Sequence, residues 1–277
     1  VTANRWSANL LRALKGSGVF LLLLCAPGLQ AQTTTAPKSN PTVLRYTYEL
    51  VEKVPQPREN FVQGLQLYGD SLYVGTGRYG QSRLIEYAFP AMTARREVSL
   101  APELFGEGIT RLDDSIYQLT WRAGKLLVYD ADSLTIRGSY PIATEGWGIT
   151  HDGSQLYYSD GSATLRTLDP QSLEVTQKVT VTLQGRPLPG LNELEWIDGE
   201  IWANVWRANQ LVRIDPTSGQ VRGIVDLRGL LPAAERTPDT DVLNGIAWDE
   251  EKRALWVTGK NWPWLYHVRP IALPGGL

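Results

Sequence analysis

The chain has 277 residues, a formal net charge of −2, one cysteine and two histidines. That charge gives no electrostatic case for nucleic acid or an anionic lipid surface, and a single cysteine excludes an intramolecular disulfide framework. The expected partner is a small molecule or a peptide, bound by a monomer.

In chain order, Arg5, Arg12 and Lys15 precede a short apolar run from Val19 to Ala26, and Ala31 offers a small residue for cleavage. This order of charge, apolar run and small residue predicts a secretory signal peptide over residues 1–31 and a periplasmic or secreted product with no membrane association in its mature form. Cys25 follows Leu24, where a lipoprotein acylation site wants a small side chain, so lipid anchoring is the lesser reading. Residues 32–42 are polar, proline-flanked and aperiodic, and read as a flexible leader. Residues 43–277 are expected to form one domain.

Within that domain one unit recurs five times: a strand opened by a small residue and Leu or Ile, a turn, and a strand carrying an aromatic. The copies are Gln63-Gly64-Leu65 to Leu72-Tyr73-Val74, Glu107-Gly108-Ile109 to Ile116-Tyr117, Trp147-Gly148-Ile149 to Leu156-Tyr157, Asn192-Glu193-Leu194 to Ile201-Trp202, and Asn244-Gly245-Ile246 to Leu255-Trp256. Their spacing of about 40 to 52 residues is that of four-stranded propeller blades. Turn chemistry falls midway in each copy, at Gly69-Asp70, Asp113-Asp114, Asp152-Gly153, Asp198-Gly199 and the longer Asp249 to Arg253. Further strands ending in Asp-x-x-Ser or Asp-Pro turns follow in most copies, and no segment after residue 40 sustains a helical period. The expectation is an all-β, five-bladed β-propeller.

In such a fold the first strand of each blade lines the central channel, which brings Gln63, Glu107, Trp147, Asn192 and Asn244 to one mouth. Reflection through each turn predicts Gly77, Trp121, Gly161, Trp206 and Lys260 opposite them. One carboxylate, one lysine, three carboxamides and three tryptophans make a pocket composition, since buried polar groups normally need partners and a charge held among indoles has a perturbed protonation equilibrium. Plainer readings stand beside it. Glu107 and Lys260 could be an ion pair closing the ring, single tryptophans could be packing, and the asparagines could cap strand ends. Trp196, Trp202, Trp248 and Trp256 fall within strands and read as core.

Other chemistries find little support. His151 belongs to a turn away from the mouth, and the mouth offers one carboxylate where catalytic zinc wants three ligands, so no metal or cofactor is expected. No Gly-x-Ser-x-Gly elbow occurs. Gly75-Thr76-Gly77-Arg78-Tyr79-Gly80 superficially matches a nucleotide loop without a helix to follow it.

Six stretches in order carry a resemblance: Phe61-Val62-Gln63-Gly64-Leu65, Phe105-Gly106-Glu107-Gly108-Ile109-Thr110, Glu145-Gly146-Trp147-Gly148-Ile149, Leu191-Asn192-Glu193-Leu194-Glu195, Leu243-Asn244-Gly245-Ile246-Ala247 and Val257-Thr258-Gly259-Lys260. Together they resemble the plant and bacterial type of glutaminyl-peptide cyclotransferase. The resemblance implies a five-bladed propeller that cyclises the N-terminal glutamine of peptides or proteins to pyroglutamate, releasing ammonia without a catalytic metal. It implies Glu107 as the essential carboxylate, Lys260 as its lysine, Gln63 and Asn192 as pocket amides, and Phe61, Phe105, Trp121, Trp147 and Trp206 as the aromatic wall, beside Asn244 at the mouth. Val62, Asn261, Trp264 and His267 depart from the family pattern and bear on substrate preference. A non-catalytic ligand-binding propeller and a metal-dependent lactonase-type propeller are the alternatives.

Overall fold

The computed structural model describes residues 42–275. The expected signal segment at 1–31, Cys25 and all but the last residue of the expected leader lie outside them. The described residues are all-β apart from one short 3-10 turn at Ala233–Glu235.

Three antiparallel four-stranded sheets follow one another in strict chain order. The first comprises Val62–Tyr68, Ser71–Thr76, Arg83–Ala88 and Thr93–Ser99. The second comprises Gly106–Leu112, Ser115–Thr120, Lys125–Asp130 and Ile136–Pro141, and the third Ile149–His151, Leu156–Tyr158, Thr164–Leu168 and Val175–Thr180. Apart from a two-stranded ribbon of Thr182–Leu183 and Arg186–Pro187, the rest forms an eight-stranded sheet made of two runs. One run is Leu191–Ile197, Glu200–Val205, Gln210–Ile214 and Val221–Asp226; the other is Leu243–Asp249, Ala254–Gly259, Trp264–Ala272 and, as its outer strand, Leu44–Pro55. Leu44 to Tyr46 then pair in parallel with Gly223 to Val225, joining the runs.

The sequence dictates these turns locally. Asp198 and Gly199 both take positive φ, the two-residue geometry that suits the twist of a hairpin. In the Asp-x-x-Ser turns, Asp130, Asp169 and Asp215 each accept the backbone N–H of the serine three residues on, at 2.7–2.8 Å. That bond lets the side chain stand in for a backbone partner and stop the strand.

The opening strand of each unit is innermost, and these five strands pack in a closed cycle in chain order, the last against the first. Glycine permits the close approach: a Cβ on Gly108 would lie 2.7 Å from Gly148 Cα, and one on Gly64 would lie 2.9 Å from the Gly108 carbonyl carbon. At the corresponding position of the fourth inner strand stands Glu193. Its buried carboxylate reaches across the space that the glycines leave, accepting the Ile246 N–H at 2.8 Å and the Leu65 N–H at 3.3 Å. Apolar clusters such as Leu65, Leu72, Val74, Ala247 and Trp256 fill the gaps between neighbouring sheets, each fully buried aliphatic contributing roughly 1.5–3 kcal/mol. Trp202 and Trp256 are buried as expected, whereas Trp196 and Trp248 are only half-buried, Trp196 stacking on Tyr157 with ring centroids 5.5 Å apart.

Candidate active site

Four of the five inner strands break register near their first residues. The ladder shifts between Val62 and Gly64, between Gly106 and Ile109, between Leu191 and Leu194, and between Leu243 and Ile246. Such bulges re-aim side chains next to the irregularity, and they enclose Gln63, Glu107, Asn192 and Asn244. They also correct the reflected pairing. The Gly77, Trp121, Trp206 and Lys260 N–H groups donate to the carbonyls of Phe61, Phe105, Gly190 and Val242, so each predicted partner stands opposite the residue two before its opener.

A cavity of about 240 Å³ opens at this end, lined by Phe61, Gln63, Phe105, Glu107, Trp121, Trp147, Asn192, Trp206 and Lys260 together with Arg207, Asp241 and Val242. Nine of the ten residues singled out in the sequence are thus brought together. The tenth, Asn244, is not on the wall: it is fully buried, and its Nδ2 donates to the Val62 carbonyl at 3.1 Å and weakly to that of Gln63. It clamps the bulge that presents Gln63. Gly77 and Gly161 leave room for rings, since a Cβ on Gly161 would lie 2.6 Å from the Trp147 indole and one on Gly77 would strike Phe105.

The floor is polar and buried. Glu107 is 5% exposed, and its Oε1 accepts the Gln63 side-chain amide at 3.0 Å. Burial pushes its carboxyl well above the usual carboxylate range; Lys260 opposes that rise and Glu145 adds to it. Lys260 is 6% exposed, with its Nζ 5.0 Å from the centre of the Phe61 ring. Burial lowers the lysine's pKa against the pull of Glu107 and Asp241. The two charges influence each other across the cavity, yet among the described residues no ion pair joins them, and this argues against the plain ring-closing pair. Gln63 Oε1 and Asn192 Oδ1 are buried without a partner. Unpaired buried acceptors are costly unless a ligand supplies donors. The Gln63 Nε2 is engaged with Glu107 and so is not free to donate to a developing negative charge.

The walls are two aromatic arcs. Phe61, Phe105 and Trp121 meet edge to face at 6.3 and 5.4 Å, and Trp147 meets Trp206 at 5.6 Å. Asn261, one of the departures from the family pattern, accepts Arg78 Nη2 at 2.9 Å, and that guanidinium lies 4.6 Å over Phe61. Arg207, Asp241 and Val242 were not found from sequence, because they lie just outside the recurring strands. His151 sits in a separate cavity at the opposite end of the inner strands, near Gln66, Arg111 and Glu195.

With this geometry in view, comparisons with known proteins converge. A family model described as glutamine cyclotransferase matches residues 21–270. A glutaminyl-peptide cyclotransferase from Arabidopsis thaliana is 39% identical over 227 residues, covering 80% of this chain and 70% of that protein. The crystal structure of Myxococcus xanthus glutaminyl cyclase superposes with a TM-score of 0.77 at 29% identity, covering 83% of this chain and 99% of that one.

Proposed function

The chain belongs to the glutamine cyclotransferase family and converts the N-terminal glutamine of peptides to pyroglutamate, and we propose that it does so with Glu107 as the only proton shuttle and without a metal. The observation that carries this reading is the pairing of one buried, nearly unsolvated carboxylate with two unpartnered buried acceptors in an aromatic pocket.

An N-terminal glutamine supplies what the pocket lacks. Its α-amine and side-chain amide bring N–H donors for Gln63 Oε1 and Asn192 Oδ1, and its amide oxygen faces the Lys260 ammonium. Glu107 takes a proton from the α-amine as nitrogen attacks the side-chain carbonyl carbon. Lys260 and the Asn192 amide stabilise the oxyanion of the tetrahedral intermediate in a site dried by indoles. Glu107 then returns the proton to the departing nitrogen; the C–N bond breaks, ammonia leaves and the lactam remains. One carboxylate with a raised pKa suits both transfers. Gln63 holds Glu107 in place, and the aromatic arcs fold the flexible glutamine chain toward its cyclic conformer.

Metal independence is supported by the donor set: among the described residues no group of three or more His, Cys, Asp or Glu gathers to hold an ion. Five four-stranded units around the cycle of inner strands support a five-bladed count, with the eight-stranded sheet read as two blades sharing the Leu44–Tyr46 pairing. The Arg5 to Ala31 pattern supports export to the periplasm or beyond. The test is ammonia release from a Gln-initiated peptide, with and without exhaustive dialysis against a strong chelator. Equal rates are expected; a loss restored by an added divalent cation would overturn metal independence, and no ammonia at all would favour the non-catalytic binding propeller.

A further inference from the structure

Among the described residues no aromatic ring pair joins the two arcs, and a single side chain links them. Glu145 Oε2 accepts the indole N–H of Trp121 at 2.8 Å and that of Trp147 at 3.0 Å. Its other oxygen lies 3.5 Å from Arg122 Nε, and the Arg122 guanidinium covers the Trp121 ring at 3.9 Å. The backbone is held as firmly. Gly146 N–H is shared between the carbonyls of Thr120 and Trp121 at 3.1 and 3.2 Å, and a Cβ on Gly146 would lie 2.7 Å from Leu119 Cβ. Glu145 itself does not line the cavity.

We propose that Glu145 is a positioning residue for cyclisation: one carboxylate sets the orientation of Trp121 and Trp147 together, and so fixes the width of the aromatic cage that folds the substrate. An indole has one N–H donor and no acceptor, so its ring plane is determined by where that donor points. Two indoles sharing one acceptor oxygen are thereby oriented relative to each other. Charge-assisted bonds of this kind are the strong ones. A second consequence follows from the same carboxylate. Its negative charge acts on Glu107, whose other charged neighbours are Lys260 across the pocket and Arg207 and Asp241 at the rim.

The proposal rests on the cyclotransferase reading, so its test includes a measurement independent of turnover. Glu145→Gln keeps an oxygen for the indoles and removes the charge; Glu145→Ala removes both. With Trp121→Phe and Trp147→Phe used to assign the two indole N–H resonances, Glu145→Ala should shift both and speed their exchange with water, whereas Glu145→Gln should leave exchange slow. On a Gln-initiated peptide, Glu145→Ala should lose about 10- to 100-fold in kcat/KM, the scale of a misplaced reacting group. Glu145→Gln should recover most of that loss, with the acid limb of its pH profile moved to lower pH. Unchanged indole resonances in Glu145→Ala, or wild-type kcat/KM in that variant, would overturn the role of Glu145. A Gln variant as impaired as the Ala variant would do the same. Failure of the wild-type protein to release ammonia would instead overturn the cyclotransferase reading, while leaving the resonance result to decide on the orientation of the two rings.

Discussion

Glu107 accepts a single side-chain hydrogen bond, from Gln63 Nε2 at 3.0 Å, although an ionised carboxylate can take several. The rest of its capacity faces the cavity. Glu107→Gln should therefore preserve fold and substrate binding while lowering kcat by at least ~10²-fold, the usual scale for a general acid-base group. Steady-state kinetics beside a melting curve check this, and turnover near wild type would remove Glu107 from the mechanism.

Lys260 faces the same cavity without touching Glu107. Lys260→Met should lower kcat and kcat/KM together, because an interaction made only in the transition state affects both. Binding of an inert analogue of N-terminal glutamine, followed by calorimetry, should change far less. A rise in KM alone would show that the lysine holds the substrate and does not stabilise the oxyanion.

The recurring strands and the mouth composition were legible from sequence because each hairpin carries its own turn chemistry and each opener its own residue type. The bulges were not legible. A register shift of one residue leaves the alternation of Gln63-Gly64-Leu65 unchanged, and with a hairpin that pairs Tyr68 with Ser71 it brings Gly77 opposite Phe61. Asn244 shows the cost: its residue type suited a pocket wall, but the bulge turned its amide onto neighbouring backbone. Nothing in the sequence marks the role of Glu145, since its partner Trp121 lies 24 residues away, just beyond a strand of the preceding sheet. The Leu44–Pro55 strand is silent in the sequence for a like reason, its antiparallel partner lying more than 200 residues downstream.

Glu195 gives a pH prediction with a definite sign. Burial raises its carboxyl from the ordinary glutamate value of 4.5 to about 8, against the bond it accepts from the Trp248 N–H. Between those values the folded protein holds a proton that the unfolded chain has released, so stability falls as pH rises through the window and levels above about 8. Glu193, also raised by burial and by Glu195, acts in the same direction. Glu195→Gln should flatten the decline. Denaturation midpoints measured across the window in both proteins check it, and parallel curves would show that Glu195 ionises normally.

Gly148 is the tightest of the inner-strand glycines, a Cβ there falling onto the Asn192 carbonyl oxygen. Gly148→Ala should destabilise the fold by at least about 1–3 kcal/mol, the usual range for overpacking a close-packed site. Because the neighbour that must yield is the backbone of Asn192, kcat should fall as well. Chemical denaturation and kinetics on the same preparation check both, and a variant of wild-type stability would mean that the inner strands slide apart freely.

The pairing of Leu44–Pro55 with Trp264–Ala272 sets an order on biosynthesis. The first of the described strands is the outer strand of the sheet whose other strands come latest in the described chain, with Tyr46 opposite Ala272. While ribosomes are still elongating the chain, the first three sheets can form from neighbouring residues, but the early strand has nothing to pair with in its own sheet. Lys260 and Gln63 meet across the cavity only when the late strands arrive, a loop closure spanning most of the polypeptide, and contacts so distant in sequence form slowly. Closure of the ring thus waits for Trp264–Ala272, and a nascent chain that has not yet reached Lys260 carries Glu107 without its lysine.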